Sequence, residues 1–312
     1  MKRYVGGRLL QTVPVLLGVS LVVFLLVRLI PGDPATSMLG SRATPELVAR
    51  VRGQFGLDLP LWQQYLDYLR RLVTGDFGVS FFYQTNVSSL VLARLPVTLE
   101  LIGLSALFAL VIAVPSATLA ALQRGRAADQ AVRVVFAATL GLPSFWLAIL
   151  ATLYLGVQVR IFPTSGAGQG TVDRLWHLTL PALVIALSIA PVLVRALRSS
   201  LIEVADSDFV TTGRAAGLVR GQLLVSYLLR NSVLPLVTVF SINLGWLISG
   251  TVIVEQVFGL PGLGSLLLSS ISTRDYAIIQ LVTLVFAALV LLMNLLTDLA
   301  YTALDPRVQL SS

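Results

Sequence analysis

Cysteine, histidine and lysine, which supply thiol nucleophiles, zinc ligands and the lysine of phosphate loops, are nearly absent from this chain. Its 312 residues include no cysteine, one histidine (His177) and one lysine (Lys2). A disulfide, a thiol nucleophile and a zinc site of His and Cys ligands are therefore excluded. A phosphate loop of the G-x-x-x-x-G-K type is also excluded, because it has no lysine to use. We predict no catalytic residue, metal site or cofactor in this chain. If the protein uses ATP, another chain must bind the nucleotide.

Charged side chains beside apolar segments are the remaining candidates for chemistry. Burying charge in lipid is expensive and often functional, so these residues could line a polar pathway. They also lie within a few residues of predicted span ends, where long side chains reach the aqueous interface. Both interpretations stay open, and we assign no substrate-binding residue. These charged residues are Arg28, Glu100, Arg133, Arg195 and Asp298.

The composition predicts that the chain lies in a bilayer. Hydrophobic residues make up 56% and charged residues 12%, about half the charged fraction of a typical soluble domain. Six apolar spans are each long enough to cross a hydrocarbon core of roughly 30 Å. The predicted spans are Leu9–Ile30, Leu99–Ala121, Val132–Val157, Thr179–Leu197, Val233–Val254 and Ala277–Tyr301. Prolines within the spans predict kinks that neighbouring helices tolerate; they are Pro14, Pro115, Pro143 and Pro191.

Basic residues predict the orientation of the spans. With the N-terminus inside, the internal segments hold twelve basic residues, whereas the two short external loops hold only Arg160, Arg174 and Arg274. This bias predicts that both termini are cytoplasmic. We read the first span as a retained helix, because its apolar part is too long for a signal peptide. The net charge of +7 does not indicate nucleic acid, because the basic residues are scattered between the spans.

The segment from Pro31 to Val97 is too long to be a simple turn. Thr44 followed by Pro45 is typical of a helix start. A second helix is predicted from Pro60 to Val73, where apolar residues recur at helical spacing. These residues are Leu61, Trp62, Tyr65, Leu66, Leu69 and Val73. The helix could lie against the membrane core, or it could receive an external protein that delivers substrate, or it could do both.

The internal segment from Arg198 to Ser232 alternates apolar and polar residues, unlike the spans. Ser207 or Asp206 could cap a short helix that runs through Ala216 and stops at Gly217. Small residues on that helix would let another surface approach; they are Gly213, Ala215 and Ala216. A second helix is predicted from about Val219 to Arg230. An ordinary structured loop is the alternative interpretation.

Two further features lie on the predicted external side. The run from Val257 to Gly264 contains three glycines and one proline. It predicts a tight turn or a re-entrant bend rather than a phosphate-binding loop, since no strand precedes it. His177 stands before the fourth span, where an interfacial polar residue is expected.

Ten short motifs, in order along nearly the whole chain, resemble the permease subunits of dipeptide and oligopeptide ATP-binding-cassette (ABC) importers. The family consists of binding-protein-dependent transport system inner membrane components, and the resemblance is to their first-subunit type. Each motif is weak alone, but their order and spacing are specific. The motifs are Phe24–Pro34, Phe55–Leu61, Gly75–Ser80, Leu95–Glu100, Pro143–Trp146, His177–Ala182, Asp208–Leu218, Arg230–Pro235, Glu255–Gly264 and Leu304–Arg307.

The resemblance implies a fold and a domain order. The fold is an all-α integral membrane protein with six transmembrane helices of the type I ABC importer permease kind. Residues 1–30 form the cytoplasmic N-terminus and the first transmembrane helix, and residues 31–97 form a structured external loop with short helices. Residues 98–312 form a five-helix core, which contains a cytoplasmic coupling loop at 198–232.

The resemblance also implies which residues couple the chain to an ATPase. The segment Thr211–Leu218 corresponds to the Glu-Ala-Ala loop of ABC import permeases. This chain has Thr211, Thr212 and Gly213 where the broader motif has Glu-Ala-Ala, so no ion pair is predicted from that position. The expected coupling residues are Phe209, Gly213, Arg214, Ala215, Ala216, Gly217 and Leu218.

Partners and cargo follow from the same resemblance. A second homologous permease, two ATP-binding subunits that bind ATP and Mg, and an extracytoplasmic substrate-binding protein are expected, in the plasma (inner) membrane of a prokaryote. The cargo would be a dipeptide or oligopeptide, although similar families import nickel chelates, glutathione or other small solutes. Two alternatives are a secondary transporter or channel subunit that does not use ATP, and a membrane enzyme. The latter would need a catalytic cluster that this chain lacks.

Overall fold

The computed structural model describes residues 2–29, 36, 43–54 and 56–304, and most of them are helical. Parts of three motifs fall outside these residues, namely those of Phe24–Pro34, Phe55–Leu61 and Leu304–Arg307, as do both chain ends. We number the helices α1 (Lys2–Leu29), α2 (Pro45–Gln54), α3 (Leu61–Thr74), α4 (Val87–Leu122), α5 (Ala127–Leu140), α6 (Ser144–Gln158), α7 (Thr171–Ala205), α8 (Asp208–Ala215), α9 (Arg220–Val257), α10 (Leu263–Thr273) and α11 (Tyr276–Leu304).

Among the described residues, five helices are long and apolar enough to cross a membrane. The qualifying segments are Leu10–Leu29, Val87–Leu122, Thr171–Ala205, Arg220–Val257 and Tyr276–Tyr301. Each overlaps one predicted apolar span, but three begin earlier than predicted, at Val87 rather than Leu99, at Thr171 rather than Thr179 and at Arg220 rather than Val233. A sixth candidate consists of α5 and α6 together, which are bent by 104°. The all-α membrane fold with up to six spans is therefore confirmed.

The third predicted span is not one kinked helix. α5 ends at Leu140, and Pro143 takes the N-cap position of α6 with extended backbone (φ −61°, ψ 140°). Because proline has no N–H to donate, it cannot continue the hydrogen-bond ladder of the preceding helix. The sequence analysis read Pro143 as a kink, whereas the structure breaks the helix between Gly141 and Pro143.

The chain divides into two compact units, Met1–Pro96 with Gly262–Leu291, and Val97–Pro261 with Leu292–Ser312. In the first unit, α3 packs along α1. The Phe24 ring lies 5.3 Å from Tyr65 and 5.9 Å from Tyr68, and Ser20 and Tyr65 share a hydrogen bond of 2.9 Å. Arg28 donates to the side chain of Gln64. Both predicted helix starts of this unit are confirmed, since α2 begins at Pro45 and α3 begins directly after Pro60.

A buried apolar cluster joins the start of α4, α10 and the start of α11 in the first unit. Its members are Val87, Val91, Leu263, Leu266, Ile278, Leu281 and Val282. Beside it, the carboxylate of Asp275 accepts a hydrogen bond of 2.5 Å from the Ser80 hydroxyl. The helix α10 follows the predicted turn at Val257–Gly264 and was not itself predicted.

The second unit is built around α7, which packs against α5, α6 and α9. Buried residues recur along α7 from Leu178 to Leu201. Two polar contacts lie near the start of this unit: Thr98 donates to the fully buried Glu255 at 2.6 Å, and Arg174 pairs with Glu100 at 3.3 Å. Because ionic groups are costly to bury, these contacts offset part of that cost.

Candidate coupling site

The helix α8 connects two long apolar helices and begins after Ser207. Ser207 has extended backbone at the N-cap position, as predicted, but its hydroxyl donates to the carbonyl of Val204 at 2.5 Å. Neither it nor Asp206 caps α8 through a side chain. The helix therefore starts where the sequence predicts, without the predicted capping hydrogen bond.

The end of α8 is a Schellman motif. The N–H of Leu218 donates to the carbonyl of Gly213 at 3.2 Å, and the N–H of Gly217 donates to that of Arg214 at 3.1 Å. Gly217 has φ +79°, a left-handed conformation that glycine adopts at little cost. The predicted stop at Gly217 is confirmed, and Leu218 folds back over the last turn.

Two residues of α8, Val210 and Gly213, face the interior of the unit. A Cβ at Gly213 would lie 3.2 Å from the Cδ1 atom of Leu218 and 3.2 Å from the Cδ2 atom of Leu223. The small size of Gly213 therefore serves packing inside this chain. The sequence predicts that Gly213, like Ala215 and Ala216, lets another surface approach, whereas in the structure Gly213 is buried and the two alanines are exposed.

The other face of α8 is exposed, and most of the predicted coupling residues lie on it or next to it. Phe209 is 45% exposed, although its ring stacks on Tyr227 at 6.3 Å. Arg214 forms no ion pair with a described residue. The exposed residues of this face and of the turn that follows are Asp208, Phe209, Thr211, Thr212, Arg214, Ala215, Ala216 and Gly217. We call this set the α8 face. The side chains at the centre of the α8 face are small, so they project little from the helix.

The support beneath α8 is a continuous helix. A separate helix was predicted from Val219 to Arg230, but the structure continues it without interruption into the next span as α9, Arg220–Val257. The section Leu223–Leu229 is π-helical and carries Leu223 and Tyr227, the contacts of Gly213 and Phe209. α8 therefore packs directly on a helix that is also a candidate membrane span.

Ion pairs hold the neighbouring ends of α5 and α7. The Arg198 guanidinium donates two hydrogen bonds of 2.7 Å to Asp129, which also accepts one of 3.0 Å from the N–H of Gly125. This bidentate contact stabilises the ionised carboxylate. An exposed pair of 3.0 Å joins Arg124 to Asp206, directly before α8. The sequence analysis missed both pairs, because their members lie 69 and 82 residues apart.

The charged candidates of the sequence analysis do not form one site. Arg28 contacts Gln64 and lies over the Phe24 ring. Glu100 pairs with Arg174. Arg133 and Arg195 line one cavity, and Asp298 is half-buried in α11. His177 lies inside α7 rather than before it, with Nδ1 3.3 Å from a carboxylate oxygen of Asp173.

The family described as "Binding-protein-dependent transport system inner membrane component" matches residues 113–310. Its N-terminal companion, "Binding-prot-dependent transport system membrane comp, N-term", matches residues 1–102. Together the two matches include α8 and most of the rest of the chain.

Curated relatives match over almost the full length. The oligopeptide transport system permease protein AppB of Bacillus subtilis (strain 168) is 36% identical over 99% of this chain and 100% of its own length. The glutathione transport system permease protein GsiC of Escherichia coli (strain K12) is 35% identical, over 99% of both chains. The dipeptide transport system permease protein DppB of the same strain is 33% identical, again over 99% of both.

A solved structure shares the fold. The inward-facing MetNI methionine ABC transporter superposes with a TM-score of 0.59, covering 70% of this chain and 97% of that chain at 20% sequence identity. The similarity is to the helical arrangement and carries no information about cargo.

Proposed function

The chain belongs to the family of binding-protein-dependent transport system inner membrane components, and on that premise we propose that α8 receives mechanical work from a separate ATPase subunit. The observation that carries this proposal is the α8 face, an exposed surface with small residues at its centre, backed by a continuous helix of membrane-spanning length. Small exposed residues suit close docking in a cleft. The unbroken α9 suits transmission of a rigid movement.

The nucleotide belongs to partner subunits in this proposal. The chain has one lysine, Lys2, and no cysteine, so it offers no phosphate loop of the lysine type. Among the described residues, no group of three or more His, Asp or Glu side chains could hold a metal ion. Two ATP-binding subunits would bind ATP and Mg, and this chain would have no ATPase site of its own.

The assembly would contain a second, homologous permease and an extracytoplasmic substrate-binding protein. Each permease would form half of the pathway. The chain would lie in the inner membrane of a prokaryote with both termini in the cytoplasm, because the basic residues favour the α8 side as internal. The division into residues 1–30, an external loop 31–97 and a core 98–312 remains part of this proposal.

We propose peptides as the cargo class. The three relatives carry the names of oligopeptide, glutathione and dipeptide transport systems, and these substrates share peptide chemistry. On the external side, α3 exposes Trp62, Leu66 and Val73, a surface that would face the membrane or the protein that delivers cargo. ATP-driven closure of the ATPase pair would then tip the spans between inward-open and outward-open states.

A substitution on the α8 face tests the proposal. Ala215→Glu places a charge where close contact is expected, so it should reduce ATP-driven peptide uptake in vesicles by at least about tenfold, since one buried unpaired charge costs several kcal/mol. Ala127→Glu is the matched control: it makes the same change at an exposed position of the α5 first turn, where an acid is favourable.

Three measurements keep the outcome interpretable. Membrane insertion of both variants should equal that of the parent chain. Co-purification of the ATPase subunits should fall with Ala215→Glu and not with Ala127→Glu. Undiminished uptake by Ala215→Glu would reject the docking assignment, and uptake that survives ATP depletion would support the secondary-transporter alternative instead.

A further inference from the structure

A cavity of about 620 Å³ lies between α5 and α7 in the second unit. Its polar side carries three arginines and one amide, Arg133, Arg195, Arg198 and Gln130. Its apolar side includes Phe136 and Val194. The coupling proposal uses none of these residues.

The cavity has an excess of positive charge. The charge of Arg198 is balanced by Asp129, to which it donates two hydrogen bonds of 2.7 Å. Arg133 and Arg195 are exposed, and no described carboxylate forms an ion pair with either of them. Three guanidinium groups therefore lie near one carboxylate, which binds Arg198 and also attracts Arg133, so the cavity keeps a net positive charge beside a neutral amide. Guanidinium forks match the geometry of a phosphate group.

The polar and apolar sides are arranged along the helix axes. Arg133 lies near the start of the apolar part of α5, and Arg195 lies near the end of the apolar part of α7. The apolar lining residues Phe136 on α5 and Val194 on α7 extend from these arginines along the same helices. On α7 the lining continues to Pro191, one turn from Arg195 and roughly 6 Å further into the span. With the α8 side in the cytoplasm, as proposed, the arginines lie toward the aqueous end of the cavity, whereas Phe136 and Pro191 lie deeper along the spans.

This gradient of polarity fits one class of ligand better than others. A free phosphate ion would make no favourable contact with the apolar side of the cavity. A phospholipid has a phosphate group followed by an acyl chain, in the same order as the polar and apolar sides. The orientation of the chain in the membrane accounts for basic residues near the interface. It does not account for two of them lining the same cavity. We propose that Arg133 and Arg195 bind the phosphate headgroup of an anionic phospholipid from the cytoplasmic leaflet.

The inference depends on the proposed orientation of the chain but not on transport or on any partner subunit. It is tested by native mass spectrometry of the full-length chain, purified in detergent with phosphatidylglycerol or with phosphatidylcholine of the same acyl chains. The parent chain should retain phosphatidylglycerol in preference. Arg133→Gln combined with Arg195→Gln should weaken that retention on the order of tenfold, since each arginine contributes attraction to an anionic headgroup.

A matched control removes the same charge elsewhere. Arg126→Gln with Arg220→Gln changes two exposed arginines that do not line the cavity, and retention should stay at the parent level. Unchanged Tm of both double variants excludes unfolding as the cause. Equal retention by all three proteins, or equal retention of the two lipids, would overturn the site. Binding of inorganic phosphate without retained lipid would overturn the lipid assignment.

Discussion

Two short helices each connect longer apolar helices in this chain, and they differ in what surrounds them. In α10, Leu263, Gly264, Leu266 and Ser270 are buried, and the two leucines belong to the apolar cluster of the first unit. In α8, only Val210 and Gly213 are buried. α10 is thus held by its own unit, whereas α8 presents most of its surface outward.

This difference separates structural from functional expectations. A helix whose side chains contact their own unit should tolerate little change in packing. Side chains on an exposed helix face should tolerate substitution with little loss of stability, whereas an activity that depends on a partner docked on that face should fall. Substitutions in α10 should therefore lower the free energy of unfolding, whereas substitutions on the exposed face of α8 should lower transport.

The largest expected effect is at Leu266, which is fully buried in α10. Leu266→Ala removes buried methyl groups and leaves a cavity, which costs roughly 2–5 kcal/mol. The Tm of the purified chain in detergent should fall markedly. Ile271→Ala is the control on the same helix, because Ile271 is 51% exposed and should shift the Tm little. Similar Tm values for both variants would mean that α10 is not part of the packed core.

A smaller effect is expected at the polar contact that follows α10. Ser80 and Asp275 are both buried, and Ser80 donates to one carboxylate oxygen at 2.5 Å. The other oxygen has no hydrogen-bond partner among the described residues. Ser80→Ala would remove a donor from a buried charged group, which costs about 1.5–3 kcal/mol.

Thermal unfolding in detergent measures this cost as well. Ser272→Ala is the control, since Ser272 is an exposed serine of α10 whose hydroxyl contacts only the backbone of its own helix, at Leu268. A loss of stability confined to Ser80→Ala would place the contact among those that hold α10. A loss of the same size in Ser272→Ala would mean that the Ser80–Asp275 hydrogen bond does not account for the lost stability.

Local sequence signals predicted the long helices and the ends of α8, because apolar length and a glycine stop depend on neighbours in the chain. The same holds for α2, whose Leu47 N–H donates to Thr44 Oγ1 at 3.3 Å. Features that depend on distant residues were missed. The pair Asp129–Arg198 needs α5 and α7 side by side, and nothing at either position predicts its partner.

Other differences between the predicted and the observed helices arise where one residue type is compatible with two local structures. A proline within an apolar run can kink a helix or end it, and Pro143 ends it. The segment after Val219 contains no proline until Pro235, which lies inside α9, so the expected break is absent. An eight-residue helix gives too few turns to predict which side is buried, so the inward position of Gly213 could not be read from the sequence.

The smallest effect on stability, and the sharpest contrast between two faces, is expected within α8 itself. Gly213→Leu must place a side chain where Leu218 and Leu223 already lie within 3.2 Å of a Cβ. Overpacking of this kind costs roughly 1–3 kcal/mol, which exceeds the gain of about 1 kcal/mol in helix propensity. The variant should therefore open α8 to proteolysis between residues 206 and 220. Ala215→Leu introduces the same side chain on the exposed face, and its free energy of unfolding should stay within about 0.5 kcal/mol of that of the parent chain. Its rate of proteolysis should be unchanged, and only its ATP-driven uptake should fall. If instead both variants were cleaved equally fast, the two faces of α8 would not differ, and if Ala215→Leu transported at the parent rate, the exposed face would have no close-fitting partner.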